Sequence, residues 1–279
     1  MITASQQNYI SDHAYIPEHI PHYVTAISQT EPFLFGDFLG YAKKGHFTLV
    51  GYPLEEPFEE KKLRNVLENA IKRFHPETVS MIAPSISSLI DDRSHPPSDH
   101  YYRLDLSSLS ISQKLRNMLN RASRELSVKK SREFDMEHRE MVVKFLKNHP
   151  VDEATGFIFN RINEYLSFSP TAWVFDATNN TGELVAFDVA EFIPMDYILY
   201  MFNFSSEALY VPGASDLLLF EVIQHAKTEK KKYINLGLGI NTGVAFFKKK
   251  WGGVPFLPYT SCFYRPSRKE NLDSLLQKL

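Results

Sequence analysis

Residues 207–253 constrain the fold of this chain more than any other stretch, because distinct element signals follow one another there in a fixed order. A turn of small residues, Pro212-Gly213-Ala214-Ser215, comes before a helix with one continuous apolar stripe. A short strand at 233–236, a glycine loop at 237–243 and a second, lysine-bearing helix follow. Helices and strands that alternate in this way predict an α/β fold.

The turn before the first of these helices suggests a phosphate site. A helix N-terminus that is opened by small residues presents unpaired N–H groups and the positive end of the helix dipole. Ser215 or Asp216 can cap this helix, and the lysine-bearing second helix could supply a counter-charge. The loop at 237–243 lacks the spacing of a dinucleotide fingerprint or a Walker loop, so ordinary turn chemistry explains it equally well without a ligand.

The order of elements elsewhere repeats this unit. Predicted strands and helices alternate as β-α-β-α-β over 47–106, and the same order returns over 197–264. The longer series over 128–264 is β-α-α-β-β-β-α-β-α-β, with a hairpin indicated by Asn179-Asn180-Thr181-Gly182. The two series share no matching residues, so only the order of secondary-structure elements is duplicated. It predicts two similar α/β domains.

Several individual elements are also predicted. They are an irregular arm over 1–32 with one short strand near 23–26, a short helix over 85–90, a basic helix over 111–126, one helix over 153–166 and a closing helix over 270–279.

Composition allows either one large domain or two of about 140 residues each in the 279-residue chain. The residues are 43% hydrophobic and 23% charged, which is typical of a globular protein with an ample core. The net charge of −2 creates no global field that would attract nucleic acid or anionic lipid, so any site for a polyanion must be local.

The sequence does not indicate a metal site. Cys262 is the only cysteine, which excludes an internal disulfide and a cysteine-rich zinc site. His13, His19 and His22 match no common ligand spacing, and Pro21 interrupts any helical face between them, so we expect surface histidines.

The N-terminal region has neither the basic start nor the apolar core of a signal peptide. No window approaches the roughly 18 apolar residues of a membrane span. We therefore expect a cytoplasmic protein without an integral membrane segment, with peripheral membrane attachment as an alternative.

Three motifs resemble those of known proteins. Ser112–Ala122 resembles a K-x-R-N…R-A helix, Pro212–Leu218 a P-S/G…L-L turn into a central helix, and Phe247–Gly253 an F-K-x-K-F/W-G segment. Their order and spacing are similar to those of proteins with two Gcn5-related N-acetyltransferase (GNAT) domains in tandem. Two families of that group show the resemblance: the Fem-type aminoacyltransferases and the catalytic domain of phosphatidylglycerol lysyltransferases.

This resemblance implies two GNAT-like domains, each with a mixed twisted sheet flanked by helices. The first would cover residues 1–110 and the second 111–279, with 111–126 as the linking helix. The implied co-substrate is a CoA thioester or an aminoacyl-tRNA, without a metal. The implied acceptor is an amine or a hydroxyl on a small molecule or a lipid, and tRNA would be a partner.

The resemblance also implies a location for the site. In the GNAT fold the donor lies where the fourth and fifth strands splay apart, here 197–204 and 233–236. The residues that would hold the donor are Pro212, Gly213, Ala214, Ser215, Asp216, Asn241 and Lys248. A base must take a proton from the acceptor. The candidate bases Asp188, Glu191 and Glu207 lie on or after the strands that line this gap, and Tyr210 is a candidate to protonate the leaving group.

The sequence differs from the pattern of these proteins in two places. The acetyltransferase signature Arg/Gln-x-x-Gly-x-Gly/Ala is absent from Ala208–Ala214. The equivalent turn of the first half, residues 53–60, carries four carboxylates that would repel a phosphate, so the second half is the expected donor site. A GNAT-fold acyltransferase or aminoacyltransferase is the leading interpretation. A non-catalytic binding or regulatory protein and a peripheral aminoacyl-lipid transferase are the alternatives.

Overall fold

The structure is a computed structural model that describes residues 2–55, 57–86 and 99–266. The first half of the chain contains α1 Ala4–His13, a 3-10 turn Pro17–His19, α2 Pro21–Ser28, β1 Glu31–Phe35, β2 Phe38–Lys43, β3 His46–Val50, α3 Glu60–Phe74, β4 Thr78–Ala83 and β5 Asp99–Asp105. The second half contains α4 Gln113–Glu125, β6 Leu126–Ser131, α5 Met136–Asn148, α6 Glu153–Phe159, α7 Ile162–Phe168, β7 Ala172–Asn179, β8 Leu184–Glu191, β9 Tyr197–Ser205, α8 Ala214–Thr228, β10 Tyr233–Leu238, α9 Thr242–Lys250 and β11 Val254–Tyr264.

The strands form one mixed sheet in the order β1-β2-β3-β4-β11-β5-β10-β9-β8-β7-β6. The predicted mixed sheet flanked by helices is confirmed. In each half a group of helices precedes three antiparallel strands, and a further helix then leads to a strand parallel to the third. The duplication therefore extends further than the sequence predicts.

Each half contributes its last strand to the other half. β11 pairs with β4 of the first half, and β5 pairs with β10 of the second. β5 and β11 also pair with each other. All three of these strand pairings are antiparallel. The exchange joins both halves into one continuous sheet. The boundary between residues 110 and 111 remains a prediction.

Helices cover both faces of the sheet in the second half. α4 and α8 pack against one face, with Leu218 and Val222 among the residues of that core. α5 and α7 pack against the opposite face, where Phe187 and Val189 belong to a second core. Neighbouring residues of β8 therefore point to opposite sides, as the pleat of a strand requires.

The prediction of an irregular N-terminal arm is wrong. The arm consists of α1, the 3-10 turn and α2, and the segment 23–26 lies inside α2. Pro21 is the first residue of α2, a position that suits its fixed φ and its missing N–H. The prediction of a surface position is also wrong for His19, which is fully buried and donates from Nε2 to the Tyr52 carbonyl 2.9 Å away.

Other predicted elements need smaller corrections. The single helix predicted over 153–166 is two helices, α6 and α7, that meet at Asn160 and Arg161. The hairpin of β1 and β2 was not predicted, although Gly36 supplies the positive φ of its turn. Most of the helix predicted over 85–90 and the whole of 270–279 lie outside the described residues.

Candidate active site: the gap between β9 and β10

β9 and β10 separate after three residue pairs. Tyr197–Leu199 of β9 pairs with Tyr233–Asn235 of β10, and beyond this point β10 continues only beside β5. The equivalent strands of the first half behave differently. β3 and β4 pair along five residues, and the Gly51 N–H continues the ladder to the Ile82 carbonyl at 2.7 Å. The two parallel strands therefore leave an open gap in the second half, whereas the equivalent strands of the first half leave none.

β9 contains a β-bulge close to the point where it separates from β10. Val189 and Ala190 are consecutive in β8, but their partners in β9 are Phe202 and Tyr200, so Met201 is an extra residue. A bulge increases the local twist of a strand and redirects its backbone groups. The bulge lies directly after Leu199, the last residue of β9 that pairs with β10. This arrangement leaves β9 backbone groups facing the gap without a strand partner.

Lys248 places its amine beside this gap. The Nζ atom donates a hydrogen bond to the Leu238 carbonyl of β10. A Cβ atom on Gly237 would lie 3.6 Å from this Nζ and 3.9 Å from the Tyr200 carbonyl of β9, so both groups border the space beside Gly237. Lys248 is only 5% exposed. Burial lowers the pKa of the amine to about 7, although the nearby charge of Asp99 partly opposes this shift.

Asp99 of the exchanged strand β5 holds the loop between β10 and α9. Its carboxylate accepts the backbone N–H groups of Gly239 at 3.1 Å and Ile240 at 2.8 Å. Ile240 adopts a φ of 55°, which a β-branched residue rarely does. Asn241 then caps α9, and its side-chain oxygen accepts the Val244 N–H at 2.9 Å. The first half of the chain therefore fixes the loop that leads to Lys248.

The N-terminus of α8 begins at Gly213, and no side chain caps it. The predicted cap at Ser215 or Asp216 is therefore wrong. Gly213 has a φ of 88°, and a Cβ atom there would lie 2.8 Å from the Met118 Cγ of α4. Close packing against α4 thus requires glycine at this position. Without a side-chain cap, the first turn of α8 retains N–H groups that have no acceptor within the helix.

Asp216 already places a carboxylate at this helix end. It is buried, and its Oδ1 accepts the Trp251 Nε1–H at 2.8 Å. The Lys250 Nζ lies 2.6 Å from the same Oδ1 and donates to Oδ2 at 2.8 Å. These contacts tie the start of α8 to the end of α9. Pro212 is half-buried, and the Ala214 N–H donates to the Val211 carbonyl at 3.2 Å.

A chain of polar side chains connects the first turn of α8 to a buried carboxyl group on β8. The Ser215 hydroxyl donates to Asn203 Oδ1 at 3.1 Å, and Asn203 Nδ2 donates to Asp188 Oδ1 at 2.5 Å. Asp188 is fully buried, and burial raises the pKa of its carboxyl to about 8. Its Oδ2 and the Tyr200 hydroxyl are both buried without a hydrogen-bond partner in the described residues. Asp188 is thus largely protonated at neutral pH.

The other predicted catalytic side chains lie apart from one another. Glu191 pairs with Leu199 at the closed end of the gap, and its carboxylate accepts four hydrogen bonds. Glu207 follows the end of β9, is exposed and accepts the Asn148 Nδ2–H at 3.0 Å. Tyr210 is 70% exposed. Their catalytic roles remain predictions.

Sequence reasoning missed three residues of this region. Asp99 comes from the other half of the chain, and only the strand exchange brings it to the loop. Tyr200 and Asn203 belong to a predicted strand, but the bulge decides which of its side chains face α8. Within residues 2–55, 57–86 and 99–266, no cluster of three His, Cys, Asp or Glu side chains could hold a metal ion. No helix in this part of the chain is long and apolar enough to span a membrane.

Comparisons with known proteins identify the fold. No protein-family model matches the chain, and no curated protein matches it. Among solved structures, L-PGS from Bacillus licheniformis is 15% identical with a TM-score of 0.59, over 99% of this chain and 96% of that one. FemX is 11% identical with a TM-score of 0.61, over 100% and 98%. A tandem GNAT protein from the clavulanic acid biosynthesis pathway is 12% identical with a TM-score of 0.50, over 82% and 79%.

These similarities extend over both halves of the chain, and they agree with the resemblance found in its three motifs. At 11–15% identity they establish a common fold and not a common activity. The chain has the fold of the tandem GNAT proteins, with an open strand gap in its second half.

Proposed function

We propose that this protein is a transferase that moves an acyl or aminoacyl group from a thioester or ester donor to an amine or hydroxyl acceptor. The observation that carries the proposal is the buried amine of Lys248 beside the gap between the splayed strands β9 and β10. Burying a lysine away from a carboxylate partner is costly, so such a residue is retained where its amine has a use.

Lys248 would act as the base. A lysine with a pKa of about 7 is roughly half neutral at neutral pH, so it can both accept and return a proton. The acceptor nitrogen or oxygen would attack the donor carbonyl carbon, and Lys248 Nζ would take the proton that the acceptor loses. When the carbon–sulfur or carbon–oxygen bond to the donor breaks, the same ammonium would return the proton to the leaving atom.

The strand gap would also stabilise the tetrahedral intermediate. The carbonyl oxygen of the donor becomes negatively charged during the attack, and fixed N–H groups stabilise such an oxyanion. Backbone groups of β9 beyond Leu199 lack a strand partner on the side of the gap, and the bulge at Met201 redirects them. We assign the oxyanion site to this segment of β9.

The donor would extend from the gap toward the first turn of α8. The free N–H groups of this turn suit a phosphate of CoA or of the 3′ end of a tRNA. Asp216 opposes this attraction with its own charge, but Lys250 compensates that charge at 2.6 Å. The closed ladder between β3 and β4 supports a donor site in the second half alone.

Two substitutions of Lys248 test the role of its amine. Lys248→Gln removes the amine, and Lys248→Arg keeps a positive charge that cannot be lost at working pH. The assay follows thiol release from acetyl-CoA and deacylation of aminoacyl-tRNA with a panel of amines. We expect both variants to lose at least about 100-fold in kcat, while Lys249→Gln, an exposed neighbour on α9, stays close to the parent.

The pH profile provides the second readout. The rate of the parent should rise with pH through about 7, as Lys248 loses its proton. An active Lys248→Arg variant would contradict the role as a base and leave only a role as a fixed cation.

One observation favours a non-catalytic alternative, in which the fold binds a ligand without chemistry. The chain's own Asp216 carboxylate sits at the helix end where a donor phosphate would bind. Calorimetry with CoA and with uncharged tRNA separates the two proposals. Binding of either ligand that Lys248→Gln leaves intact, with no turnover by the parent on any amine, would support the non-catalytic function. Attachment to a membrane is tested by co-sedimentation with anionic vesicles.

A further inference from the structure

A groove lies beside α5, which packs on the face of the sheet opposite α8. Its volume is about 580 Å³, and it runs between α5 and residues 205–209, which follow β9. Its α5 wall extends from Glu137 to His149. At a rise of about 1.5 Å per residue this wall is about 18 Å long, so the groove is elongated.

The floor of the groove is apolar and its rim is acidic. Met141, Phe145, Leu184 and Leu209 provide the apolar surface. The charged lining residues are Glu137, Glu140, Lys144, Glu183 and Glu207. Four carboxylates therefore face one ammonium group, and the groove carries a local excess of negative charge in a chain whose net charge is only −2.

Two of the rim carboxylates have a basic neighbour in the groove. Lys144 Nζ lies 3.5 Å from Glu140 Oε2, and His149 Nε2 lies 3.6 Å from Glu207 Oε1. Hydrogen bonds from Asn179 and Thr181 lower the pKa of Glu183, so it remains ionised. Exposed pairs of this kind interact weakly, and a multivalent cation can compete for them.

The apolar floor limits which kind of cation can bind in the groove. β8 lies between β7 and β9, so its backbone groups are used within the sheet and offer no edge to a peptide. A basic peptide would bury amide groups against Phe145 and its neighbours without hydrogen bonds, which is unfavourable. A chain of methylene groups with ammonium groups at intervals has no such cost.

We propose that this groove binds a linear aliphatic polyamine, whose methylene segments cover the floor while its ammonium groups face the rim carboxylates. This proposal concerns binding alone and does not rest on the proposed transfer reaction.

Calorimetry with spermidine at low ionic strength tests this proposal. We expect one binding event per chain that weakens as salt is added, because exposed charges are screened. The double variant Glu137→Gln/Glu140→Gln should weaken binding about fivefold or more. Glu68→Gln removes an exposed carboxylate on α3 and should leave the affinity unchanged. Circular dichroism of the double variant checks that α5 is intact.

Three results would overturn the proposal. Absence of spermidine binding at millimolar concentration would refute the site. Displacement of spermidine by an equal concentration of Mg²⁺ would show that charge alone acts and that the apolar floor contributes nothing. Tighter binding of trilysine than of spermidine would identify the groove as a site for a basic peptide. Weaker binding of putrescine, which is too short to reach along the groove, would support the proposal.

Discussion

Replacing Lys248 with methionine should make this protein more stable at pH 6, by an amount that shrinks as the pH rises. Methionine keeps the length of the side chain and removes the amine. The pKa of Lys248 falls from its ordinary value of 10.5 to about 7 in the folded protein. Each pKa unit corresponds to about 1.4 kcal/mol, so at pH 6 the buried amine costs the folded state about 5 kcal/mol.

The sign of the pH dependence follows from proton binding. Between pH 7 and pH 10.5 the unfolded chain holds the proton of Lys248 and the folded chain does not. The parent protein therefore gains stability with rising pH in this range, by about 1.4 kcal/mol per pH unit. At pH 9 the buried amine still destabilises the folded state by about 2 kcal/mol. The variant's advantage should shrink by about 3 kcal/mol between pH 6 and pH 9.

Urea denaturation of parent and variant at these two pH values measures the difference. The variant also leaves the Leu238 carbonyl without its hydrogen bond, which costs about 1–3 kcal/mol at any pH. This offset cancels when the two pH values are compared. A stability difference that is the same at pH 6 and pH 9 would show that Lys248 titrates normally, and the argument for its role as a base would fail with it.

Two further predictions concern stability. His138 is buried between Asp135 and Asp176. Burial alone would lower the pKa of its imidazole, but the two carboxylates raise it. The charged imidazole therefore stabilises the folded state fully below pH 6.5, and this stabilisation is lost as the pH rises through the folded pKa. His138→Asn should cost about 1–3 kcal/mol at pH 6 and less at pH 8 in urea titrations, and an equal cost at both pH values would contradict this. Gly213→Ala should cost about 1–2 kcal/mol for its positive φ plus the displacement of α4, and therefore more than Gly182→Ala, whose added Cβ would meet no atom within 4 Å.

Local signals in the sequence predicted much of the second half correctly. The helix predicted over 111–126 is α4, which extends from Gln113 to Glu125 and buries Leu115, Leu119 and Ala122 on one face. The turn at Asn179–Gly182 connects β7 and β8 as a hairpin. These features depend on residues that are close in the chain, so a single sequence can reveal them.

The arrangement of the candidate site depends on distant residues. The resemblance implied that Lys248 holds the donor, but the sequence could not show that its amine is buried beside the gap between the strands. Asp99 reaches the site only through the strand exchange, and the bulge in β9 determines on which face Tyr200 and Asn203 both lie. Pairing partners and bulges are set by tertiary packing, which the local pattern does not encode.

The position of β11 has a consequence for synthesis of the protein. β4 ends at Ala83 but receives its second neighbour from β11, which ends at Tyr264, 181 residues later. At about 5–20 residues per second, a ribosome needs roughly ten to forty seconds to cover that distance. During this time one edge of β4 has no native partner, and open strand edges invite pairing with other chains. The nascent protein therefore depends on protection from aggregation until its second half has been made.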